Sequence, residues 1–380
     1  MKIEFEILNI DPLGQGVCKS LQSEKVTFIK KTLPEESGVA DIFSEKKGVR
    51  FARLIELTKV SSHRIKPQCE HYEKCNGCDY QHTTYEKEIE YKKNALKKHL
   101  FKFPEIEIGI HKAEKRTNYR NRIQLHYDKS KKLLGLLDEK LQIIPVPNCL
   151  IINPRVAFEL RSLYENNSWM KLLVKEPSKG HIEIYEKEKS NHEVSGHQVK
   201  LSINRNYANG GFTQVNFEMN QILCNFIQKK IEEFIPHKAV IYDLFGGNGN
   251  LTAKTRNPVL VVDKYKKAPE AKNFQKFYSI DLYDKNAIRS LINLKSEGVQ
   301  RPQWLIIDPP RSGLKNLNEF VNEFKPDGII FIACEATSFA RDTAFLVNST
   351  LHNYELKAIE LFDLFPSTMH YETVGIFVKK

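Results

Sequence analysis

Short runs in which polar and apolar residues alternate open the chain and predict antiparallel strands. The runs cover residues 3–8, 25–29 and 48–57, and turns containing Pro and Gly at 12–16 and 33–38 separate them. Strands of this length joined by tight turns predict a small β-barrel over residues 1–58. Barrels of this size bind RNA in some proteins and act only as adaptors in others.

The pattern after the barrel predicts a helix and then a mixed α+β domain. Residues 85–100 are polar on one side and carry Ile89, Ala95, Leu96 and Leu100 on the other, as an amphipathic helix does. Residues 105–205 alternate strand-like runs with turns, and the polar stretch 186–199 predicts a loop.

From about residue 216 the pattern changes to short apolar strands separated by segments of helix length. A helix is predicted at 221–234, and strands are predicted at 239–244, 259–263, 304–307 and 328–333. Continuous apolar strands of this kind are typical of a parallel sheet covered on both faces, as in α/β Rossmann-like domains. We therefore expect three domains at 1–58, 59–205 and 206–380, with helix 85–100 a candidate for packing on the third.

Composition indicates a globular protein with a basic surface. The 380 residues are 41% hydrophobic and 28% charged, with no signal peptide and no apolar stretch long enough to span a bilayer, so we expect a cytoplasmic monomer without membrane contact. The net charge is +11, and residues 59–132 hold 18 Lys and Arg against 10 Asp and Glu. Such an excess favours nucleic acid as a partner, although solvated helix faces could also produce it.

A glycine-rich turn follows the first strand of the predicted parallel sheet. In Gly246-Gly247-Asn248-Gly249 the backbone could approach a ligand, and Asp263 ends the next strand, where a carboxylate can bind ribose hydroxyls. The spacing differs from the dinucleotide fingerprint. With the later Asp308-Pro309-Pro310 corner, the pattern favours S-adenosylmethionine (SAM) over NAD.

Cys334 directly follows the predicted strand 328–333, and Asp308 follows 304–307. Ligands of open α/β sheets bind beyond the carboxyl ends of strands, so Cys334 is a candidate nucleophile beside the cofactor, although isolated cysteines are commonly only buried small side chains. Glu372, flanked by apolar residues, is a candidate base, with His370 as the alternative.

Seven cysteines are present, and three of them lie within ten residues. Cys69, Cys75 and Cys78, together with Cys149, provide four thiolates that could hold zinc or an iron–sulfur cluster, whereas Cys18 and Cys224 have no assigned role. An odd number of cysteines argues against a disulfide framework.

Taken together, these motifs resemble the RNA 5-methyluridine (uracil-C5) methyltransferases over nearly the whole chain, closest to the iron–sulfur, ribosomal RNA branch. The resemblance is carried by residues 243–250 (DLFGGNGN), 212–216 (FTQVN), 307–313 (IDPPRSG), 365–372 (FPSTMHYE) and 118–122 (NYRNR). The N-terminal barrel looks like a TRAM domain, which is OB-like.

The resemblance implies roles for individual residues. Cys334 would be the nucleophile and Glu372 the base, and the four cysteines would hold a [4Fe–4S] cluster. The residues implied to bind SAM or line its pocket are Gln214, Phe245, Gly247, Asn250, Asp263, Asp281 and Asp308. The expected substrate is a uridine of 23S ribosomal RNA, with transfer RNA as the alternative.

The sequence departs from the family pattern in three places. Ala333-Cys334-Glu335-Ala336 stands where Ser-Cys-Asn-Pro is usual, Asp263 replaces a Glu, and Asn76 stands where a Gly is common. The Glu335-Ala336 departure leaves a second class of protein open: an RNA-binding or ribosome-assembly protein whose catalytic loop has decayed.

Overall fold

The structure is a computed structural model that describes residues 1–20, 23–187, 198–205, 213–264, 274–348 and 353–380. The strands are β1 Lys2–Ile10, β2 Gln15–Ser20, β3 Ser23–Lys30, β4 Ser37–Lys46, β5 Val49–Lys59, β6 Ile108–His111, β7 Arg122–Asp128, β8 Leu133–Leu137, β9 Ile143–Ile144, β10 Lys179–Lys187, β11 Gln198–Ile203, β12 Ile241–Leu244, β13 Val259–Asp263, β14 Gln275–Ser279, β15 Trp304–Ile307, β16 Gly328–Ala333, β17 Tyr354–Phe362 and β18 Glu372–Lys379. The α-helices are α1 Tyr85–His99, α2 Pro154–Tyr164, α3 Trp169–Leu172, α4 Phe217–Phe234, α5 Ala287–Asn293, α6 Leu317–Phe324 and α7 Ala336–Asn348, with short 3₁₀ helices at Glu165–Asn167 and Leu294–Glu297.

Contacts divide the chain into two compact units. The first unit contains Met1–Lys98, Glu114–Asn206 and Phe365–Met369, and the second contains His99–Ala113, Tyr207–Leu364 and His370–Lys380. The three-domain division at 1–58, 59–205 and 206–380 stays a prediction, because the first unit includes both the barrel and the middle sheet.

The N-terminal barrel is confirmed, and it has five strands. They close in the order β1-β2-β3-β5-β4 around a core that contains Phe5, Ile7, Ile29 and Ala40. The alternating pattern predicted β1, β3 and β5 but not β2 or β4. β2 begins inside the predicted turn at 12–16, and the pairing of β4 with β5 shifts register three times, which breaks the strict alternation that a sequence search needs.

The middle part of the first unit contains a second sheet, in the order β11-β10-β7-β8-β9. Helices α2 and α3 supply Leu160 and Trp169 to its core, which also contains Leu125 and Ile182. The predicted loop at 186–199 lies largely outside the described residues. Its described ends belong to β10 and β11.

The second unit contains an eight-stranded sheet in the order β14-β13-β12-β15-β16-β18-β17-β6. The strands from β14 to β16 are parallel. β12, β13, β15 and β16 correspond to the predicted apolar strands, whereas β14, with the sequence QKFYS, was not predicted. Counted from β12, they follow the order 3-2-1-4-5 of doubly wound sheets, whose ligands bind where the strand order reverses. Here the reversal lies between β12 and β15, which are the strands that lead into the glycine turn and into Asp308.

Candidate active site

The glycine turn after β12 has a backbone that side chains would obstruct. A Cβ at Gly246 would lie 2.7 Å from the carboxyl carbon of Asp243, so only glycine fits there. Phe245, Gly247 and Gly249 all have positive φ, and space around the Cβ position of Gly247 is open. The turn therefore presents exposed backbone on the ligand side of the sheet.

Asp263 closes this turn from the end of β13. Its carboxylate accepts a hydrogen bond of 3.1 Å from the backbone N–H of Gly247, which joins two of the predicted cofactor residues. Asn250, at the end of the turn, donates through Nδ2 to Oδ1 of Asn220 at 2.9 Å. A carboxylate and a bent backbone are thus held together where a ribose-bearing ligand of a Rossmann-like fold binds.

Asp243 is fully buried beneath the turn. Thr252 donates to its carboxylate at 2.7 Å, whereas its other oxygen, Oδ1, has no hydrogen-bond partner among the described residues. Burial, together with the nearby carboxylates of Asp308 and Asp263, raises the pKa of Asp243 to about 7. This carboxyl supports the turn from below.

The Asp308 corner is joined to the glycine turn by an aromatic pair. The rings of Phe245 and Tyr283 lie 5.4 Å apart, and the Tyr283 hydroxyl donates to the carbonyl of Gly313 at 2.9 Å. Tyr283 was not predicted from the sequence, because a single tyrosine in a loop carries no periodic signal. Its position just after Asp281 was the only available indication.

Strand pairing brings Cys334 and Glu372 together. In the antiparallel pair of β16 and β18, Ala333 lies opposite Thr373, so the next residue of one strand and the preceding residue of the other meet at the sheet end. Glu372 is 3% exposed, and its Oε2 has no hydrogen-bond partner in the described part of the chain. A buried, unpartnered carboxyl oxygen therefore lies beside a half-buried thiol.

These groups interact electrostatically. Burial raises the pKa of Cys334 to about 12, and the carboxylates of Glu372 and Asp308 add to that rise, while the guanidinium of Arg311 opposes it. Burial and the charge of Asp308 likewise raise the pKa of Glu372 well above its ordinary value. Arg311 belongs to the 307–313 motif but had no predicted role. Its positive charge lowers the pKa of both Cys334 and Glu372, against the effect of burial.

The departure at Glu335-Ala336 is accommodated by a helix start. The Glu335 carbonyl accepts from the backbone N–H of Phe339 and from the Ser338 hydroxyl, and Ala336 is the first residue of α7. A proline would fit the same first-turn position, because its missing N–H has no helical partner there. The loop after Cys334 therefore ends in an ordinary helix start.

Two predicted cofactor residues lie at the margin of this arrangement. Asp281 forms an ion pair with Lys264 at 2.8 Å and accepts from the Tyr283 backbone. Gln214 precedes Asn216, the N-cap of α4, whose amide donates to the Leu364 carbonyl at 3.3 Å. The contacts of Asp281 connect it to the aromatic pair, and those of Asn216 connect the Gln214 segment to the end of β17.

The four clustered cysteines line one cavity of about 190 Å³ in the first unit. The backbone N–H of Gly77 donates to the Cys75 sulfur at 3.3 Å, the backbone N–H groups of Ile151 and Ile152 donate to Cys149, and Gln81 bonds Cys78. Burial raises the pKa of Cys75, Cys78 and Cys149. Across the described residues, no group of Cys, His, Asp or Glu is spaced to hold a single metal ion.

Comparisons with known proteins agree with this geometry. Residues 283–380, which include Cys334 and Glu372, match the family described as tRNA (Uracil-5-)-methyltransferase. Proteins named 23S rRNA (uracil(1939)-C(5))-methyltransferase RlmD match 99% of this chain and 96% of their own length, at 26% identity in Francisella tularensis subsp. novicida and 25% in Shewanella sediminis. The chain is therefore similar to RNA uracil-C5 methyltransferases over nearly its whole length.

A solved structure shares the fold of this chain. The Pyrococcus abyssi tRNA (uracil-54, C5)-methyltransferase, determined with S-adenosyl-L-homocysteine, matches 99% of this chain and 100% of its own, with a TM-score of 0.65 and 20% identity. The shared fold is the methyltransferase fold that the sequence predicted. Within the described residues, no helix is both long and apolar enough to cross a membrane.

Proposed function

We propose that this enzyme methylates carbon 5 of a uridine in 23S ribosomal RNA through a covalent adduct with Cys334. The observation that carries the proposal is the meeting of Cys334 and the buried Glu372 at the paired ends of β16 and β18. The names of the RlmD relatives, which cover nearly the whole chain, favour ribosomal RNA. Action on ribosomal RNA would place the enzyme in the cytoplasm, and we propose that it is a monomer.

Transfer RNA is the second candidate substrate, because the solved relative with a matching fold is named for transfer RNA. A decayed, purely RNA-binding protein is less well supported. The nucleophile and base candidates are both retained, and the loop after Cys334 continues into a regular helix start.

The chemistry follows from the positions of the two groups. The Cys334 thiolate adds to carbon 6 of the uracil ring, and the electron pair of the C5–C6 double bond makes carbon 5 nucleophilic. SAM, when bound, supplies the methyl group that carbon 5 accepts. Glu372 then takes the proton from carbon 5, the C5–C6 double bond re-forms, and the C6–S bond breaks to release Cys334 as a thiolate.

The cofactor would lie along the glycine turn. The turn fits a nucleoside because Gly246 leaves no room for a side chain, Gly247 is open, and Asp263 is held beside them. Residues proposed to hold SAM or line its pocket are Gln214, Phe245, Gly247, Asn250, Asp263, Asp281 and Asp308.

We further propose that Cys69, Cys75, Cys78 and Cys149 hold a [4Fe–4S] cluster. Four sulfur donors that line a cavity of about 190 Å³ suit a group of several atoms, which four-cysteine sites can hold. Hydrogen bonds from backbone N–H groups to sulfur also stabilise thiolate ligands. The methyl transfer needs no electrons, so the cluster would have a structural or RNA-folding role.

The test is trapping of the adduct with labelled SAM and a 23S ribosomal RNA transcript. Glu372→Gln should accumulate a covalent protein–RNA complex that carries the labelled methyl group and survives denaturing electrophoresis. Cys334→Ala should bind RNA and SAM without forming this complex, and the double variant should also form none. A complex in the double variant would remove Cys334 from the mechanism, and normal turnover by Glu372→Gln would assign the base elsewhere. Repeating the assay with transfer RNA distinguishes the two substrates.

A further inference from the structure

The tip of the C-terminal hairpin is held by an unusual set of contacts. Residues 365–369 lie between β17 and β18 in sequence, yet they pack as part of the first unit. Glu372 begins β18 three residues beyond Met369. The name tip clamp is used below for Asp79, Glu88, Lys92 and Tyr119, which bind this tip, and for Arg116, which pairs with Glu88.

Glu88 is the centre of the tip clamp. Its side chain on α1 is fully buried and receives Lys92 Nζ at 2.7 Å and Arg116 Nη2 at 2.6 Å. The same carboxylate accepts the backbone N–H of Ser367 at 2.7 Å. Lys92, equally buried, donates onward to the Phe365 carbonyl at 3.2 Å, so both members of the ion pair bind the tip directly.

The rest of the tip clamp binds the remaining backbone groups. Tyr119 donates its hydroxyl to the Pro366 carbonyl at 3.0 Å. The Ser367 carbonyl accepts the backbone N–H groups of Asp79 and Tyr80, and the Asp79 carboxylate accepts the N–H of Met369 at 2.9 Å. These contacts hold a turn that contains a strained residue, because Ser367 has φ of +70°.

Stability alone does not account for this arrangement. A buried ion pair is commonly no more stabilising than apolar residues of the same size, because both charges lose their hydration. A charged pair also fixes geometry, because each of its hydrogen bonds requires a partner at a defined position. Here those hydrogen bonds fix the backbone of the segment that leads into Glu372.

We propose that Glu88, acting with Lys92 and Arg116, is a positioning residue for Glu372. By fixing the backbone of 365–369, it sets where the first residue of β18 begins and therefore where the Glu372 carboxylate meets the carbon-5 proton. This inference rests on the proposed role of Glu372 as the base. It predicts that loosening the tip clamp slows proton removal more than methyl transfer.

The experiment is a single-turnover reaction of Glu88→Gln with labelled SAM and the 23S ribosomal RNA transcript. Total label in RNA reports methyl transfer, and the share that migrates with the protein on a denaturing gel reports unreleased adduct. Glu88→Gln should transfer methyl at nearly the wild-type rate but release RNA about 10- to 100-fold more slowly, as expected for a misplaced catalytic group. Labelled adduct should therefore accumulate.

Two further variants keep the result decisive. Glu90→Gln, on the same helix but in an exposed ion pair with Lys87, should release RNA as the wild type does. Tyr119→Phe removes a single hydrogen bond to the tip and should slow release less than Glu88→Gln, which covers the case in which the latter does not fold. Unchanged release of RNA by a folded Glu88→Gln variant overturns the proposal. If Glu88→Gln does not fold, unchanged release by Tyr119→Phe overturns it. The proposal is also overturned if methyl transfer and SAM binding fall as much as RNA release does. Absence of any Cys334-dependent adduct in Glu372→Gln would instead refute the proposed function itself.

Discussion

The thiol of Cys334 should be unreactive in the protein without ligands. Its pKa of about 12 compares with 9.0 for an ordinary thiol, and burial is the main cause. At pH 8 such a pKa leaves roughly one thiol in ten thousand ionised, against roughly one in ten for the ordinary group. Because iodoacetamide attacks the thiolate, Cys334 should be alkylated about a thousandfold more slowly than free cysteine.

The variant Glu372→Gln tests whether the charge of Glu372 contributes to the raised pKa of Cys334. The charge of Glu372 is the largest contribution to the raised pKa of Cys334 after burial. Removing that negative charge should lower the thiol pKa and speed alkylation about tenfold once the pH is high enough to ionise the wild-type carboxyl. Alkylation should still remain slower than that of free cysteine, because burial is unchanged.

The assay follows the peptide containing Cys334 by mass spectrometry during alkylation from pH 7 to 10. Glu335→Gln is the matched control: it removes a carboxylate next in sequence to Cys334 that is turned to the Thr337 hydroxyl, and it should alkylate like the wild type. Equal rates for wild type and Glu372→Gln across this range would refute the electrostatic coupling. Wild-type alkylation at the rate of free cysteine would refute the raised pKa altogether.

Two further predictions concern the cysteine cavity and the buried acid. Protein purified without oxygen should be brown and contain about four irons per chain, and a colourless protein with one zinc would contradict the cluster. Burial raises the pKa of Asp243 from the ordinary 3.8 to about 7 in the folded state. The folded state then binds more protons between about pH 4 and 7, so stability falls as pH rises there. Urea midpoints at pH 5 and 7.5 should show a smaller fall for Asp243→Asn, and an equal fall would contradict this.

The sequence predicted those parts of the site that follow directly from buried parallel strands. β13, β15 and β16 are continuous apolar runs, so the residues after them, including Asp308 and Cys334, were expected at one edge of the sheet. Ligands of open α/β sheets bind at that edge, so the location of the site could be predicted without knowing the conformation of the loops.

Residues whose roles depend on distant contacts could not be predicted in this way. Glu88 and Ser367 lie 279 positions apart, and no local pattern indicates that a charged residue on α1 binds the turn before Glu372. On a helical wheel Glu88 and Lys92 look like an ordinary exposed i, i+4 pair, whereas both are fully buried. β2 and β4 were missed for a different reason, since bulges and irregular register obscure alternation.

The raised pKa values of the active site share one consequence. Asp308 has a pKa of about 7, Cys334 has a pKa of about 12, and burial raises the pKa of Glu372 well above its ordinary value, so these groups carry less negative charge at neutral pH than exposed groups would. A sulfonium cation bound beside them would favour their ionised forms, because an opposite charge within about 4–6 Å lowers the pKa of an acid. By linkage, ionisation would in turn strengthen binding of the cation. The same burial that keeps Cys334 protonated in the ligand-free protein would therefore make its activation depend on the methyl donor, so that the proposed nucleophile would form where the methyl group is already available.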